Sequence, residues 1–234
     1  MRNGLPVRWL EVTPDRLPAW LASFAQRHGG TAGEPEVSAA AAVATFRAAD
    51  GAVAECHVPF PPLPPVRAAG SAPGSAGHLP ELLAAHALAD RMVGVLLVRL
   101  GGYAAGVFAG PDQHLIASKV GSRLVHGRSA AGGQSQRRFA RRREKQASEA
   151  LLAAADTAAA VLGPYAGRLD AMVLGGDKRA VAGLEGDVRL RPFLALAADR
   201  FLTVPDPRLA VLRGTPRLYR AVRIRLTEPV AAAR

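Results

Sequence analysis

The chain is poor in cysteine, and it lacks long apolar runs. Cys56 is its only cysteine, so no internal disulfide can form, and no Cys/His pair has the spacing of a zinc site. We therefore expect neither a structural metal nor a cofactor. No window approaches about 18 uninterrupted apolar residues, and the N-terminus lacks the features of a secretion signal. We expect a cytoplasmic protein that does not cross a membrane.

Acidic residues are also scarce, since 19 Asp and Glu face 30 Lys and Arg and leave a net charge of +11. Such an excess favours a polyanionic partner, either nucleic acid or an anionic membrane surface. The charge is concentrated: the segment Arg123 to Lys145 contains eight basic residues and one acidic residue, Glu144. This segment therefore supplies most of the net charge and is the predicted site of contact with the polyanion.

The first sixty residues predict a small α/β unit. A strand is expected at Val7 to Val12, and Thr13-Pro14 favours the start of a helix that ends near His28. Two further strands, Val37 to Phe46 and Ala52 to Phe60, flank Asp50-Gly51, a dipeptide typical of hairpin turns. Residues 61–80 are rich in proline and glycine, which predicts a linker or exposed loop, and a proline-rich ligand segment is the alternative.

Residues 81–230 predict a second domain with a mixed α/β fold. A short helix at Glu81 to Ala89 is followed by three segments that alternate with glycine-containing turns, which is typical of an antiparallel meander. The helix that follows is long, basic in its first half and rich in alanine in its second. The expected elements are strands Met92 to Leu100, Tyr103 to Ala109 and His114 to Val120, helix Ser135 to Leu162, strand Leu169 to Leu174, helical segments within Lys178 to Ala198, strand Phe201 to Val204, a helical turn at Asp206 to Leu212 and strand Leu218 to Leu226. The order predicts an RNase-H-like mixed sheet in which a mobile Gly-Gly-Gln loop precedes the long basic helix.

A distinctive motif lies between the meander and this helix. His126-Gly-Arg128 is followed by Gly132-Gly133-Gln134 and then by Ser135-Gln-Arg-Arg-Phe-Ala-Arg141. The motif resembles the middle, peptide-releasing domain of eukaryotic and archaeal class-I release factors. It is most similar to the bacterial branch of the Vms-like release factors, a family of peptidyl-tRNA hydrolases. The likeness covers about residues 90 to 205, and Ser129 to Ala131 lengthen the step between Arg128 and Gly132.

This resemblance implies a codon-independent release factor that cleaves the ester between nascent peptide and tRNA on stalled large ribosomal subunits, in ribosome rescue or quality control. The implied partners are ribosomal RNA and peptidyl-tRNA, bound by a monomer without any membrane. A glutamine amide is a poor acid or base near pH 7, but the Gln134 backbone N–H can stabilise developing negative charge, and Gly132 and Gly133 give the backbone close access to the ester. These three residues are the candidate catalytic group. The candidate RNA-binding residues are His126, Arg128, Ser135, Arg137, Arg138, Arg141, Arg142, Arg143 and Lys145.

Other interpretations stay open at this point. The basic helix could serve a non-catalytic ribosome-binding or RNA-binding module that does not hydrolyse an ester. A nuclease on this fold needs several carboxylates on its first strand, and Met92 to Leu100 contains none. Arginines 217, 220, 223 and 225 could form a second RNA-facing strip or simply the solvated face of a strand.

Overall fold

The computed structural model describes residues 6–65, 78–99, 101–123 and 135–229, and the side chains of 135–143 lie outside this description. Contacts divide the chain into two compact units. The first contains residues 1–89 and 220–234, and the second contains residues 90–219. The predicted domains follow one another along the chain with boundaries at residues 60 and 80, whereas the contacts assign the helix after residue 78 and the last strand to the first unit.

The first unit contains a five-stranded antiparallel sheet. Its strands in chain order are β1 (Val7–Val12), β2 (Glu36–Val37), β3 (Val43–Arg47), β4 (Val53–His57) and β10 (Val222–Thr227). Their spatial order is β1-β10-β4-β3-β2, so the last strand of the chain lies in the middle of the sheet. Helices α1 (Leu17–Arg27) and α2 (Leu79–Leu88) belong to the same unit.

One face of this sheet forms the core of the unit, and the sequence of β10 shows why. Val222, Ile224 and Leu226 are buried, while Arg223 and Arg225 between them are exposed, as the two-residue period of a strand requires. Large buried side chains of both helices and three strands complete this core, including Leu17, Phe24, Phe46, Cys56, Leu83 and Ile224.

The second unit contains the mixed sheet that the sequence predicts. Its strands are β5 (Val93–Arg99), β6 (Gly102–Ala109), β7 (His114–Ser122), β8 (Ala171–Gly176) and β9 (Ala197–Leu202). Their spatial order is β7-β6-β5-β8-β9; the first three form an antiparallel meander, β8 is parallel to β5, and β9 is parallel to β8. The RNase-H-like arrangement is thus confirmed.

Helices cover both faces of this sheet. The helices after β7 are α3 (Ser135–Leu162), α4 (Lys178–Ala182), α5 (Arg191–Leu194), α6 (Leu209–Arg213) and α7 (Thr215–Arg220). On one face, buried alanines of α3 pack with Leu96 of β5 and Val107 of β6. On the other face, Leu212 of α6 fits over Gly106, where an added Cβ would lie 3.0 Å from Leu212 Cδ2. Residues 93–98 of β5 are accordingly all buried.

Several predicted boundaries are wrong, and each error has a local cause. The strand expected from Val37 is interrupted, because the Ser38 hydroxyl accepts hydrogen bonds from Ala42 N (3.2 Å) and Val43 N (3.1 Å) and closes a turn. The alanines at the start of β9 favour a helix in isolation, but Ala197 pairs with Met172 of β8. Leu218 belongs to α7, since Pro216 favours the start of a helix rather than a strand.

Candidate functional site

The Gly-Gly-Gln motif lies between β7, which ends at Ser122, and α3, which begins at Ser135. The predicted start of the long helix is therefore confirmed. His126, Arg128, Gly132, Gly133 and Gln134 lie outside the described residues. What the structure defines is the scaffold on each side of the motif.

On the strand side, the end of β7 is fixed by the neighbouring hairpin. Gly121 pairs with Tyr103 of β6, whose aromatic ring occupies the space where a side chain would stand; an added Cβ would lie 2.5 Å from Tyr103 Cε2. One step further, Ser122 pairs with Gly102, and Arg123 N donates to Gly101 O at 2.8 Å. The chain thus enters the motif segment from a backbone position that is held by hydrogen bonds.

On the helix side, the second half of α3 is anchored in the core. Most of its buried residues are small, which lets the helix lie close to the sheet. The last two buried residues are the larger Val161 and Leu162. In contrast, residues 144–149 contain no buried side chain, and Ala150 is the first buried residue among those described in this helix. The buried set is Ala150, Ala154, Ala155, Thr157, Ala158, Val161 and Leu162.

An ion network also ties α3 to the segment after α4. Arg189 Nη1 donates to Asp156 Oδ1 of α3 at 2.8 Å, and Arg189 Nη2 donates to Asp187 Oδ2 at 2.6 Å. The hydrogen bond from Arg189 lowers the pKa of Asp187 below its ordinary value of 3.8. Sequence reasoning missed this network, because Asp156 and Arg189 are separated by a strand and a helix.

Among the predicted RNA-binding residues, Lys145 is the one whose side chain the structure describes. It is exposed, and its Nζ lies 3.9 Å from Glu149 Oε1, one helical turn along α3. Ser135, Arg137, Arg138, Arg141, Arg142 and Arg143 belong to the backbone of α3, and their side chains lie outside the described residues. The structure therefore places the backbone of the basic residues from Arg137 to Lys145 in one helix and leaves the RNA contacts of their side chains as a prediction.

The four C-terminal arginines lie on two elements, Arg217 and Arg220 in α7 and Arg223 and Arg225 in β10. Arg220 is buried and donates to Leu88 O at 3.2 Å, and Arg225 pairs with Glu55 at 2.7 Å. Arg223 lies over the ring of Trp9, 4.6 Å from its centroid. Arg223 and Arg225 thus share the exposed face of β10, and an RNA contact of this face stays a prediction.

A group of cations lies where the second sheet presents the carboxyl ends of β5, β7, β8 and β9, and sequence reasoning singled out only Arg123 among them. β5 ends at Arg99 and β7 ends just before Arg123, which was a usable signal in the sequence, whereas Lys178 and Arg179 begin α4 and Arg208 directly precedes α6. The residues are Arg99, Arg123, Lys178, Arg179 and Arg208. The motif segment leaves β7 from this same edge.

The described part of the chain holds neither a group of possible metal ligands nor a helix that could span a membrane. No group of three or more His, Cys, Asp or Glu side chains is placed to hold a metal ion there. None of the helices within those ranges is both long and apolar enough to span a membrane.

Comparison with known proteins gives one family. The family model described as "Actinobacteria/chloroflexi VLRF1 release factor" matches residues 91–225, more than half of the chain. No curated protein matches. Fourteen chains of solved structures match, among them the crystal structure of the archaeal translation termination factor aRF1, at 14% identity and a TM-score of 0.41. That alignment covers 90% of this chain and 64% of the archaeal chain, so this chain spans less than two thirds of its length.

Proposed function

The chain belongs to the Actinobacteria/chloroflexi VLRF1 release factor family, and from this membership we propose that it hydrolyses the ester between a nascent peptide and tRNA. The proposed substrate is peptidyl-tRNA on a stalled large ribosomal subunit, and the reaction is independent of a codon. The protein would act in the cytoplasm as a monomer in ribosome rescue or quality control.

The observation that carries this proposal is the position of the motif relative to the scaffold. Gln134 is followed directly by Ser135, the first residue of α3, and the matched family region contains both the strand before the motif and the helix after it. A site is held more accurately when the chain on each side of it belongs to a rigid element than when it belongs to a loop. The hydrogen-bonded end of β7 and the buried half of α3 are such elements.

The proposed chemistry divides the work between the protein and the RNA. The Gln134 backbone N–H donates to the oxygen on which negative charge develops, while its side-chain amide orients or excludes water. Gly132 and Gly133 have no Cβ, so that the backbone comes close to the ester. Water attacks the ester carbon and the bond to the ribose 3′ oxygen breaks. Because glutamine neither donates nor accepts a proton usefully near pH 7, the terminal ribose 2′-hydroxyl of the tRNA takes the proton from the attacking water and passes a proton to the leaving 3′ oxygen.

Basic residues of α3 would hold the surrounding RNA. Positions 137, 141 and 145 follow one another at four-residue intervals and share one row of the helix, and positions 138 and 142 form the next row. Arginine suits phosphate because its guanidinium group forms paired hydrogen bonds. His126, Arg128, Ser135 and Arg143 complete the proposed RNA-binding set.

The test is release of a labelled peptide from isolated large subunits that carry peptidyl-tRNA. Gln134→Ala keeps the backbone N–H but removes the side-chain amide that orients or excludes water, so it should abolish peptide release and leave binding to the subunit nearly intact. Gln136→Ala removes a glutamine two positions away and is the matched control, with release close to that of the parent. Equal release by the parent and Gln134→Ala would exclude the enzyme assignment.

The release assay also distinguishes the enzyme from a non-catalytic RNA-binding module. Such a module would bind through the basic helix and release nothing that depends on Gln134. Charge reversal at Arg137, Arg138 and Arg141 should weaken binding and reduce its dependence on salt, because each lost phosphate contact lowers the slope. An unchanged salt slope would contradict a phosphate-binding role for these arginines.

A further inference from the structure

We propose that the carboxyl edge of the second unit's sheet is a second RNA-binding surface. The edge consists of Arg123, Lys178, Arg179 and Arg208, with Arg99 as a positioning residue, and its ligand is the phosphate backbone of RNA next to the motif segment. The inference rests on the proposed function, since it adds RNA contacts beside the same motif segment.

Sheet topology places these residues together although they are far apart in sequence. Strands β5, β8 and β9 are parallel, so their carboxyl ends share one edge. The antiparallel pairing of β5 with β6 and of β6 with β7 brings Gly102 and Ser122 to the level of Arg99. With neighbouring strands about 4.8 Å apart, the five strands span on the order of 19 Å, which suits a run of phosphates better than one isolated anion.

The turn after β8 fixes Lys178 and Arg179 at this edge. Gly176 has a φ of +102°, and an added Cβ would overlap the carbonyl oxygen of Val98. Asp177 N donates to Val98 O at 2.8 Å, and the Asp177 carboxylate accepts from Arg179 N at 2.8 Å and from Ala180 N at 3.3 Å. The two basic side chains therefore emerge from a backbone held on both sides, and both are exposed.

The segment after β9 is held at the same edge by Arg99. Its Nη1 donates to Val204 O at 2.9 Å, and Pro207 packs on the β5–β6 turn, where a Cβ added to Gly102 would lie 3.3 Å from Pro207 Cδ. Arg208, the next residue, is exposed. On the other side of the turn, the exposed Arg123 is placed by its backbone bond to Gly101.

The charges at this edge are not neutralised locally. Within the described ranges, no carboxylate forms an ion pair with Arg123, Lys178, Arg179 or Arg208. Asp206 lies 3.9 Å from Arg99, and the Asp177 carboxylate is occupied by two backbone N–H groups. Lys178 Nζ lies 5.7 Å from the centroid of the Phe201 ring, a contact that leaves its charge in place. Four exposed cations without an ion-pair partner among the described residues complement a polyphosphate backbone at this edge.

The test compares two variants that lose the same charge at opposite ends of the strands. Lys178→Gln with Arg179→Gln alters the carboxyl edge. Arg168→Gln with Arg191→Gln is the matched control, because these exposed residues precede β8 and β9. Affinity for isolated large subunits that carry peptidyl-tRNA is measured between about 50 and 200 mM salt. The edge variant should bind about tenfold more weakly and lose about two from the slope of log Kd against log salt, while the control stays near the parent.

Each outcome decides the proposal separately from the release activity. Equal behaviour of the edge variant and the control would overturn it, and weaker binding with an unchanged slope would assign the edge to a protein contact instead. The variant Lys178→Arg with Arg179→Lys keeps both charges and should bind like the parent, which separates loss of charge from misfolding. Gln134→Ala should keep the parent's slope; full release by that variant would remove the hydrolase function and leave the result on the edge intact.

Discussion

Tyr103 fills with its aromatic ring the space above Gly121, and so couples β6 to the last residues of β7 before the motif segment. An alanine at position 121 would place its Cβ 2.5 Å from Tyr103 Cε2. Because both atoms belong to a paired strand, the ring must turn away or the strands must separate.

Gly121→Ala should therefore destabilise the protein by about 1–3 kcal/mol, the usual cost of overpacking, in urea unfolding. Gly163→Ala is the control, since nothing lies within 4 Å of a Cβ there, and its effect should be small. Adding Tyr103→Ala to Gly121→Ala should cost less than the sum of the two single changes. Strict additivity would show that the ring and the glycine are not coupled.

Asp177 caps α4 through two hydrogen bonds from backbone N–H groups. Asp177→Ala leaves those donors without a protein partner and should lower the free energy of unfolding by about 1 kcal/mol. Asp177→Asn keeps an acceptor oxygen and should unfold close to the parent. If the asparagine and alanine variants are equally unstable in chemical denaturation, the cap is not the stabilising interaction.

Cys56 lies on the core face of β4, and its burial raises the pKa of the thiol to about 12. At pH 8 the thiolate fraction is then on the order of 10⁻⁴, so the folded protein should react with a chromogenic disulfide about a thousandfold more slowly than the unfolded chain. Cys56→Ala with Val7→Cys moves the thiol to an exposed position and should react at once. Fast reaction of native Cys56 would show that the core of the first unit opens readily.

His57 lies beside Trp9, with ring centroids 5.1 Å apart. Burial lowers the pKa of His57 below 6.5, and the positive charge of Arg223 lowers it further. Arg223→Gln removes a charge that disfavours the imidazolium form, so the pKa should rise while staying below 6.5. An NMR titration of the His57 ring measures it, with Arg47→Gln as a control at an arginine paired with Glu36. A fall in the pKa would contradict the assigned cause.

The sequence alone was sufficient to predict those helices and strands whose ends are marked by local signals. Gly101-Gly102 and Gly110-Pro111-Asp112 separate the meander strands, and α3 has both the predicted bounds, Ser135 and Leu162. These features are local: a glycine turn or a periodic apolar face is set by neighbouring residues.

What the sequence could not supply depends on pairing between distant residues. Ala197 and Ala198 favour a helix by propensity, but β8 supplies a partner strand and the pair extends the sheet. Arg99 and Arg208 have no relation in sequence, and they share an edge because β5 and β9 run in the same direction. The same division holds for the candidate site. Its motif could be recognised as a short sequence pattern, while the Tyr103 contact and the Arg189 network could be identified only from the fold.

The position of β10 between β1 and β4 has a consequence for the order in which the protein is assembled during its own synthesis. Residues 222–227 emerge from a translating ribosome after the whole of 90–219, so the mixed sheet has all its strands first. Until then β1 and β4 each expose an unpaired edge, which invites pairing with other chains. A released chain that ends before residue 222 would thus hold every strand of the mixed sheet and an open, aggregation-prone edge in the other sheet.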